Sequence, residues 1–107
     1  MSGRNIKKLE RKFQSSLIRE LKRIFEDSII LKLPANYKQG IPDLLILYKD
    51  KWATLECKRS ASAKLRPNQR YYVEKLNSMS FSRIIFPDNK EDVLHELKVF
   101  FQQSRRP

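Results

Sequence analysis

Apolar residues recur with helical spacing in three segments of the chain. From about Asn5 to Glu26, half of a helical wheel holds the apolar residues Ile6, Leu9, Phe13, Leu17, Ile18, Leu21, Ile24 and Phe25. A second stripe follows Pro67, which suits the first turn of a helix, and consists of Gln69, Tyr72, Val73 and Leu76. The third follows an apparent capping box, Asp88-Asn89-Lys90-Glu91, and consists of Val93, Leu94, Leu97, Phe100 and Phe101. The pattern predicts three helices.

Short apolar runs between these helices predict four strands. One runs from Ser28 to Leu33 before Pro34, and another from Ser82 to Phe86 before Pro87. Two further runs flank the polar Lys49-Asp50-Lys51, as in a tight β-hairpin. The predicted order is αβββαβα, which is an α/β fold.

The hairpin brings two carboxylates together. If its turn centres between Lys49 and Asp50, directly opposed residues have numbers that sum to 99, so Asp43 lies opposite Glu56. Because side chains alternate along a strand, Lys58 shares their face. Opposed carboxylates repel each other unless a cation lies between them, and oxygen ligands suit Mg²⁺ or Mn²⁺. The alternative is an exposed hairpin on which Glu56 and Lys58 form a weak surface pair.

Composition favours a polyanionic partner. The 107 residues form a single domain, 1–107, with flexible ends expected at 1–4 and 103–107, and the formal net charge is +11. Nucleic acid is the leading candidate, although charge supports binding and says nothing about cleavage. The start lacks an apolar run and no stretch reaches the ~20 apolar residues of a membrane helix. We therefore expect a cytoplasmic protein that does not bind membranes.

Cys57 is the only cysteine, which excludes an internal disulfide and a cysteine-rich zinc site. Its side chain should point away from the face of Glu56, so we interpret it as a small buried hydrophobe and not as a reactive thiol. Gly40 precedes Pro42 and indicates a special backbone conformation, a close approach of phosphate, or an ordinary turn.

The spacing of these residues resembles a nuclease motif. Pro42-Asp43, followed thirteen positions later by Glu56-Cys57-Lys58, resembles the PD-(D/E)XK motif of the restriction-endonuclease-like superfamily. With Gly40-Ile41-Pro42-Asp43-Leu44 and Leu65-Arg66-Pro67-Asn68-Gln69, the chain resembles the VRR-NUC branch, whose pattern is G-(I/V)-P-D-L, E-x-K, L-x-x-x-Q. The resemblance implies a restriction-endonuclease-like core, in which helices flank a mixed sheet and the site lies on the central hairpin.

The resemblance also implies a role for each site residue. Asp43 and Glu56 would bind Mg²⁺ together with the backbone carbonyl of Cys57, Mn²⁺ would substitute, and no organic cofactor is needed. The metal would polarise the scissile phosphate and activate a water. Lys58 would orient that water or stabilise developing charge, and Gln69 would support Lys58 or the water. A glutamine at a helix end with solvent contacts is the alternative for Gln69.

Nucleases of this kind often add an acidic residue from the first helix. Glu10 lies in the middle of the apolar arc and Glu20 near its edge. A buried carboxylate needs a partner, so we prefer Glu10 as a further metal ligand, with Glu20 as the second candidate. Either residue would be an ordinary solvated glutamate if the helix is partly uncovered.

Small members of the VRR-NUC branch, and the similar phage Holliday junction resolvases, cut branched DNA as homodimers. The resemblance therefore implies a metal-dependent endodeoxyribonuclease that cuts branched DNA, with the dimer interface on surplus apolar residues of the first or last helix. Candidate DNA contacts are Lys38, Arg59, Lys64, Arg66 and Arg70. The alternatives are a non-catalytic basic nucleic-acid-binding module and a ribosome-associated protein that prefers structured RNA.

Overall fold

The computed structural model describes residues 3–103, so residues 1–2 and 104–107 of the ends expected to be flexible lie outside it. The elements are α1 (Gly3–Ile24), β1 (Ile29–Lys32), β2 (Leu44–Tyr48), β3 (Lys51–Cys57), α2 (Gln69–Met79), β4 (Ser82–Ile85), a 3-10 turn (Pro87–Asn89) and α3 (Lys90–Gln102). The predicted α/β class is confirmed. Among the described helices, none combines the length and apolar character needed to cross a membrane.

Four strands form one mixed sheet in the order β1-β2-β3-β4. β1 and β2 are antiparallel, as are β2 and β3, whereas β3 and β4 are parallel. The parallel pair needs a crossover connection, which α2 supplies. The sheet therefore places the end of β3 beside the end of β4, where the chain continues into Lys58.

The predicted register of the hairpin is confirmed. Tyr48 pairs with Lys51 and Leu44 pairs with Leu55, so opposed residues have numbers that sum to 99. Lys49 turns the chain with a positive φ of 55°. The same register, continued one residue beyond β2, aligns Asp43 with Glu56.

One face of the sheet forms the hydrophobic core with α1 and α3. The strand residues in this core are Leu44, Ile46, Ala53, Leu55, Cys57 and Ile85. The helices contribute Leu17, Leu21, Val93, Leu94, Leu97 and Phe101, and Phe25 joins them directly after α1. Leu55 and Cys57 therefore lie on the core face, which confirms that Glu56 between them points to the other side.

The opposite face is covered only in part. α2 packs on β3 and β4, where Thr54 donates a hydrogen bond of 2.7 Å to Ser82. On β1, by contrast, Ile29 and Leu31 are 56% and 43% exposed, and they pair with residues of β2. The sheet thus buries polar groups under α2 and leaves apolar ones uncovered beside it.

Two predicted helix starts differ from the structure. Pro67 is not in the first turn of α2, because Asn68 takes a left-handed conformation and the helix begins at Gln69. The capping box predicted for α3 is wrong, since the N-cap is Asn89 and its side chain makes no capping bond. That side chain instead bonds backbone groups of Ile84 and Phe86, so it ties the turn to the end of β4.

Candidate active site

The predicted carboxylates meet at the open end of the β2–β3 hairpin. Asp43 comes directly before β2, and its Oδ2 accepts a hydrogen bond of 2.9 Å from the backbone N–H of Cys57. Glu56 is the next-to-last residue of β3, and the Nζ of Lys58 lies 3.5 Å from its Oε2. The structure thus brings Asp43, Glu56 and Lys58 together, as the hairpin register predicts.

Glu56 and Lys58 are not a surface pair. Their side chains are only 3% and 7% exposed. Removing two charges from water costs free energy that their mutual attraction repays only in part. The interpretation of this pair as a weak exposed contact is therefore wrong, because α2 covers the face of the sheet on which both residues lie.

Gln69 holds one oxygen of Glu56. Its Nε2 donates a 2.8 Å hydrogen bond to Oε2 of Glu56, and its Oε1 accepts a 2.6 Å bond from the backbone N–H of Arg66. The side chain is buried at the first residue of α2, so the solvent-contact alternative for Gln69 is wrong. The observed contact is with Glu56, and the predicted support of Lys58 or of a water stays a prediction.

The other oxygen of Glu56 has no hydrogen-bond partner among residues 3–103. Oε1 is buried and receives no hydrogen bond from any residue in the described range 3–103. An unpaired buried carboxylate oxygen is costly, and a cation is the partner that carboxylates accept in place of a donor. This orphaned oxygen, beside a second carboxylate, fits a hard divalent cation that keeps several waters.

The electrostatics agree with that fit. Burial, followed by the charge of Asp43, raises the pKa of Glu56 to about 7, although Lys58 lowers it. Burial also raises the pKa of Asp43, against the opposing effects of the Cys57 N–H and the Lys58 charge. Both carboxylates therefore lie in an environment that disfavours their charged forms. A bound cation would favour the charged forms instead.

Glu10 reaches the site and Glu20 does not. A cleft of about 210 Å³ is lined by Glu10, Asp43 and Cys57, and the charge of Glu10 contributes to the raised pKa values of Asp43 and Glu56. Glu20 instead forms an ion pair of 3.0 Å with Lys90 of α3. In residues 3–103, no three His, Cys, Asp or Glu side chains form a group that could hold a metal ion alone.

Cys57 is buried as predicted. Its side chain is 2% exposed in the core, and burial raises the pKa of its thiol, with further contributions from Asp43 and Glu56. Gln14 of α1 hydrogen-bonds this thiol, which lowers the pKa again in part. The thiol is therefore a structural group, while its backbone N–H orients Asp43.

The predicted DNA contacts lie at different depths. Arg66 lines the cleft and its charge acts on Asp43, whereas Arg59 is half-buried and donates a 3.1 Å bond to Ser60. Lys64 and Arg70 are exposed. Lys38 is also exposed, with its Nζ 5.9 Å from the ring centroid of Tyr72. None of these positions tests contact with DNA, so all five DNA contacts stay predictions.

Gly40 allows the loop before Asp43 to touch the start of α2. Its φ is +95°, and a Cβ added there would lie 2.6 Å from Cβ of Asn68. The close neighbour of Gly40 is therefore another part of the chain. Because Asn68 immediately precedes Gln69, this contact ties the positions of Asp43 and Gln69 to each other.

Sequence reasoning missed three α1 residues of the cleft, which are Lys7, Arg11 and Gln14. Their signal is helical spacing, because Lys7 and Gln14 lie three and four residues from Glu10, and Arg11 lies four residues from Lys7 and three from Gln14. Choosing Glu10 as a ligand already implies Lys7 and Gln14 as its neighbours.

Comparison with known proteins gives no independent assignment. No protein-family model matches the chain, and no curated protein matches it significantly. The resemblance to the VRR-NUC branch is therefore carried by the motif residues themselves.

Proposed function

We propose that the protein is a Mg²⁺-dependent DNA endonuclease that hydrolyses phosphodiester bonds at Asp43, Glu56 and Lys58. The observation that carries the proposal is the orphaned Oε1 of Glu56, buried beside a second carboxylate and a buried ammonium group. A purely structural ion pair gains nothing from an unpaired oxygen or from a neighbouring like charge. A metal-dependent nuclease uses all three groups.

Asp43 and Glu56 would hold the metal, and the Cys57 carbonyl and Glu10 are the further candidate ligands. Mg²⁺, when bound, supplies positive charge that polarises the scissile phosphate and lowers the pKa of a water, and we expect Mn²⁺ to substitute. Gln69 occupies Oε2 of Glu56, which leaves Oε1 for the metal.

Lys58 would act on the phosphate. In hydrolysis, the oxygen of a water forms a bond to phosphorus while the bond to one sugar oxygen breaks, and the departing oxygen takes a proton. Negative charge grows on the phosphate oxygens during this exchange. An ammonium group that is already desolvated stabilises such charge more strongly than one in water.

The fold supports the same proposal. A helix, three antiparallel strands, a crossover helix, a parallel fourth strand and a final helix follow one another along the chain. This is the order that the resemblance to the restriction-endonuclease-like superfamily implies, with the candidate site on the central hairpin. We include a cytoplasmic location in the proposal, since a single buried thiol fits a reducing compartment.

We infer that the substrate is branched DNA and that the enzyme acts as a homodimer. Resolving a four-way junction takes two incisions, and one chain offers one site. Most apolar residues of the first and last helices lie in the core, which leaves Leu9 and Val99 exposed there, at 44% and 45%. Ile29 and Leu31, paired with Leu47 and Leu45 on the uncovered sheet face, supply a second apolar surface, and we prefer it for the interface because its residues are adjacent.

The test is cleavage of a labelled four-way junction, a flap, a linear duplex and a structured RNA, each with Mg²⁺, Mn²⁺ or EDTA. Wild type is compared with Lys58→Ala and with Lys51→Ala, a matched loss of one lysine at the other end of β3. We expect metal-dependent paired cuts in the junction, lost in Lys58→Ala and kept in Lys51→Ala.

Binding without cutting under every metal would overturn the nuclease proposal and favour the non-catalytic module. Cutting of the linear duplex as fast as the junction would overturn the branched substrate alone. Sedimentation of wild type and Leu31→Lys tests the dimer separately, because a charge on the uncovered sheet face should give a monomer.

A further inference from the structure

The outer face of α1 is basic along its whole described length. At 100° per residue, an arc of roughly 160° holds every lysine and arginine of this helix whose side chain is described. These residues are Lys7, Lys8, Arg11, Lys12, Arg19, Lys22 and Arg23, and all of them are exposed. Both acidic residues of α1 lie outside the arc, since Glu10 faces the cleft and Glu20 pairs with Lys90.

Ion pairs do not neutralise this basic face within the described part of the chain, since none of them includes a cation of the arc. Solvent-exposed helices usually intersperse acidic residues that support their neighbours. Like charges in a row repel one another, and no acidic residue of the described helix lies among these. The basic face therefore indicates an anionic partner.

The basic face continues into the candidate active site. Lys8, Arg11, Lys12, Ser15 and Arg19 line one shallow surface groove. Arg11 also lines the cleft that contains Asp43, together with Lys7 and Arg66. From Lys8 to Arg19 the helix rises about 16 Å, which is long enough to pass several phosphates of a duplex.

We propose that the basic face of α1 binds the phosphate backbone of duplex DNA and leads one duplex arm into the cleft at Asp43. The second half of this statement rests on the proposed nuclease function, and the first half does not. Lysine, arginine and serine side chains contact phosphates without reading bases, so the surface positions the duplex without sequence preference. This surface does not include the five cations predicted from the sequence to contact DNA, which lie in loops and on α2.

An anionic membrane is a poorer partner for this surface. A helix that lies on a membrane inserts an apolar face beneath its basic one. Most of the apolar stripe of α1 is instead packed in the core, where Leu17 and Leu21 are each at most 1% exposed, and Leu9 is the large apolar side chain of the described helix that is exposed, at 44%. Apart from Leu9, α1 presents charge to the exterior, which matches a phosphate backbone.

The first test compares two triple variants that each remove three positive charges. The test variant is Lys8→Gln, Lys12→Gln and Arg19→Gln, and the control is Lys49→Gln, Lys75→Gln and Lys98→Gln, all at exposed positions. At the five helical positions glutamine keeps a helix propensity close to that of lysine and arginine, and Lys49 lies in the exposed turn of the hairpin, so both variants should fold. Affinity for a short duplex is measured in EDTA across a salt series.

Log affinity falls as log salt concentration rises, and each phosphate that is no longer neutralised should make this fall less steep by about 0.9. Removing three cations that each neutralise one phosphate should therefore make it less steep by about 2.7. We expect that change in the test variant, with at least a tenfold loss of affinity, and little change in the control. Equal losses in both variants would indicate diffuse charge attraction and overturn the proposal. Unchanged DNA binding, with weakened binding to phosphatidylserine vesicles, would assign the face to membranes instead.

This measurement separates the two proposals because it needs neither metal nor cutting. A protein that never cuts DNA can still show the change in slope, and a nuclease can lack it.

The path into the cleft is tested with an iron chelate tethered at Ser15→Cys, using Ser78→Cys on α2 as the control. The buried Cys57 should stay unlabelled.

Radicals from the Ser15 position should cut one arm beside the site of enzymatic incision, and those from Ser78 should not. Equal cutting from both positions would overturn the proposed path of the duplex.

Discussion

The two ends of the β2–β3 hairpin each carry a carboxylate–lysine pair in opposite environments. At the turn, Lys51 lies 3.4 Å from Asp50, which is 53% exposed. At the open end, Lys58 lies 3.5 Å from Glu56, and both side chains are buried. The distances are almost equal, but the first pair keeps its carboxylate in water, although Lys51 is only 12% exposed, whereas both partners of the second pair lose their hydration. Only the pair with both charges buried carries a cost that calls for a function.

The residues around each pair make the same distinction. Near the turn, Tyr48 packs its ring against Phe25 and Phe101 at centroid distances of 5.4 and 5.2 Å, which is ordinary core packing. The open end has a second carboxylate, Asp43, the unpaired Oε1 of Glu56, and Gln69, which donates a hydrogen bond to Oε2 of Glu56. The hairpin thus gains stability at one end and holds its reactive groups at the other.

The largest expected effect is on cleavage by Glu56→Gln and Asp43→Asn. Each substitution keeps the shape of the side chain and removes one ligand charge, so the junction cleavage rate should fall at least about 100-fold. Binding to DNA in EDTA should remain, because the basic surface is intact. Asp50→Asn at the turn is the matched control and should cut normally. Loss of metal-free binding would show instead that the fold was damaged.

Stability in EDTA should fall as the pH rises, and this is the next largest effect. The folded-state pKa of Glu56 is raised from 4.5 to about 7, so the folded protein binds the proton more tightly than the unfolded chain does. Its contribution is full below pH 4.5 and is lost by about pH 7, amounting to roughly 3 kcal/mol. The raised pKa of Asp43 acts in the same direction.

Urea unfolding at several pH values measures this loss. Glu56→Gln should flatten the profile between pH 4.5 and 7, while Asp50→Asn should leave it as in wild type. Mg²⁺ should restore stability most at the high-pH end, because it binds the ionised carboxylates. A wild-type profile identical to that of Glu56→Gln would contradict the predicted effect of burial.

Gly40→Ala should destabilise the protein by about 2 kcal/mol, through strain at a positive φ and a clash with Asn68. The clash would also separate the loop before Asp43 from the start of α2, so cleavage should fall more than stability alone explains. Thermal unfolding and cleavage at a temperature where the variant is folded measure both effects. Gln39→Ala, an exposed neighbour, serves as the control, and an unchanged melting temperature in Gly40→Ala would contradict the contact.

The sequence predicted the site along the hairpin but not its surroundings. A polar turn between two alternating strands determines which residues oppose each other, so the approach of Asp43 to Glu56 followed from local pattern. Burial of Glu56 did not follow, because it depends on where the crossover helix α2 packs. The choice between Glu10 and Glu20 depended on the ion pair of Glu20 with Lys90, which is distant in sequence and close in space.

The capping box failed for a different reason. Local spacing indicated it, but a competing local contact had priority, because Asn89 bonds backbone groups three and five residues earlier, at the end of β4. Short-range patterns are decisive where a feature is formed by neighbours in sequence, as at the hairpin. They are weak where a side chain can choose between two sets of nearby partners, as Asn89 does between α3 and the end of β4.

The smallest expected effect is the coupling of Lys51 to Asp50. A double-mutant cycle with Lys51→Gln and Asp50→Asn should give an interaction energy below about 0.5 kcal/mol, because water screens the exposed carboxylate. Salt should reduce this energy further. Urea unfolding of the four proteins at low and high salt measures it. A coupling above about 1 kcal/mol would mean that the turn pair also stabilises the fold, and burial alone would then no longer separate the two ends of the hairpin.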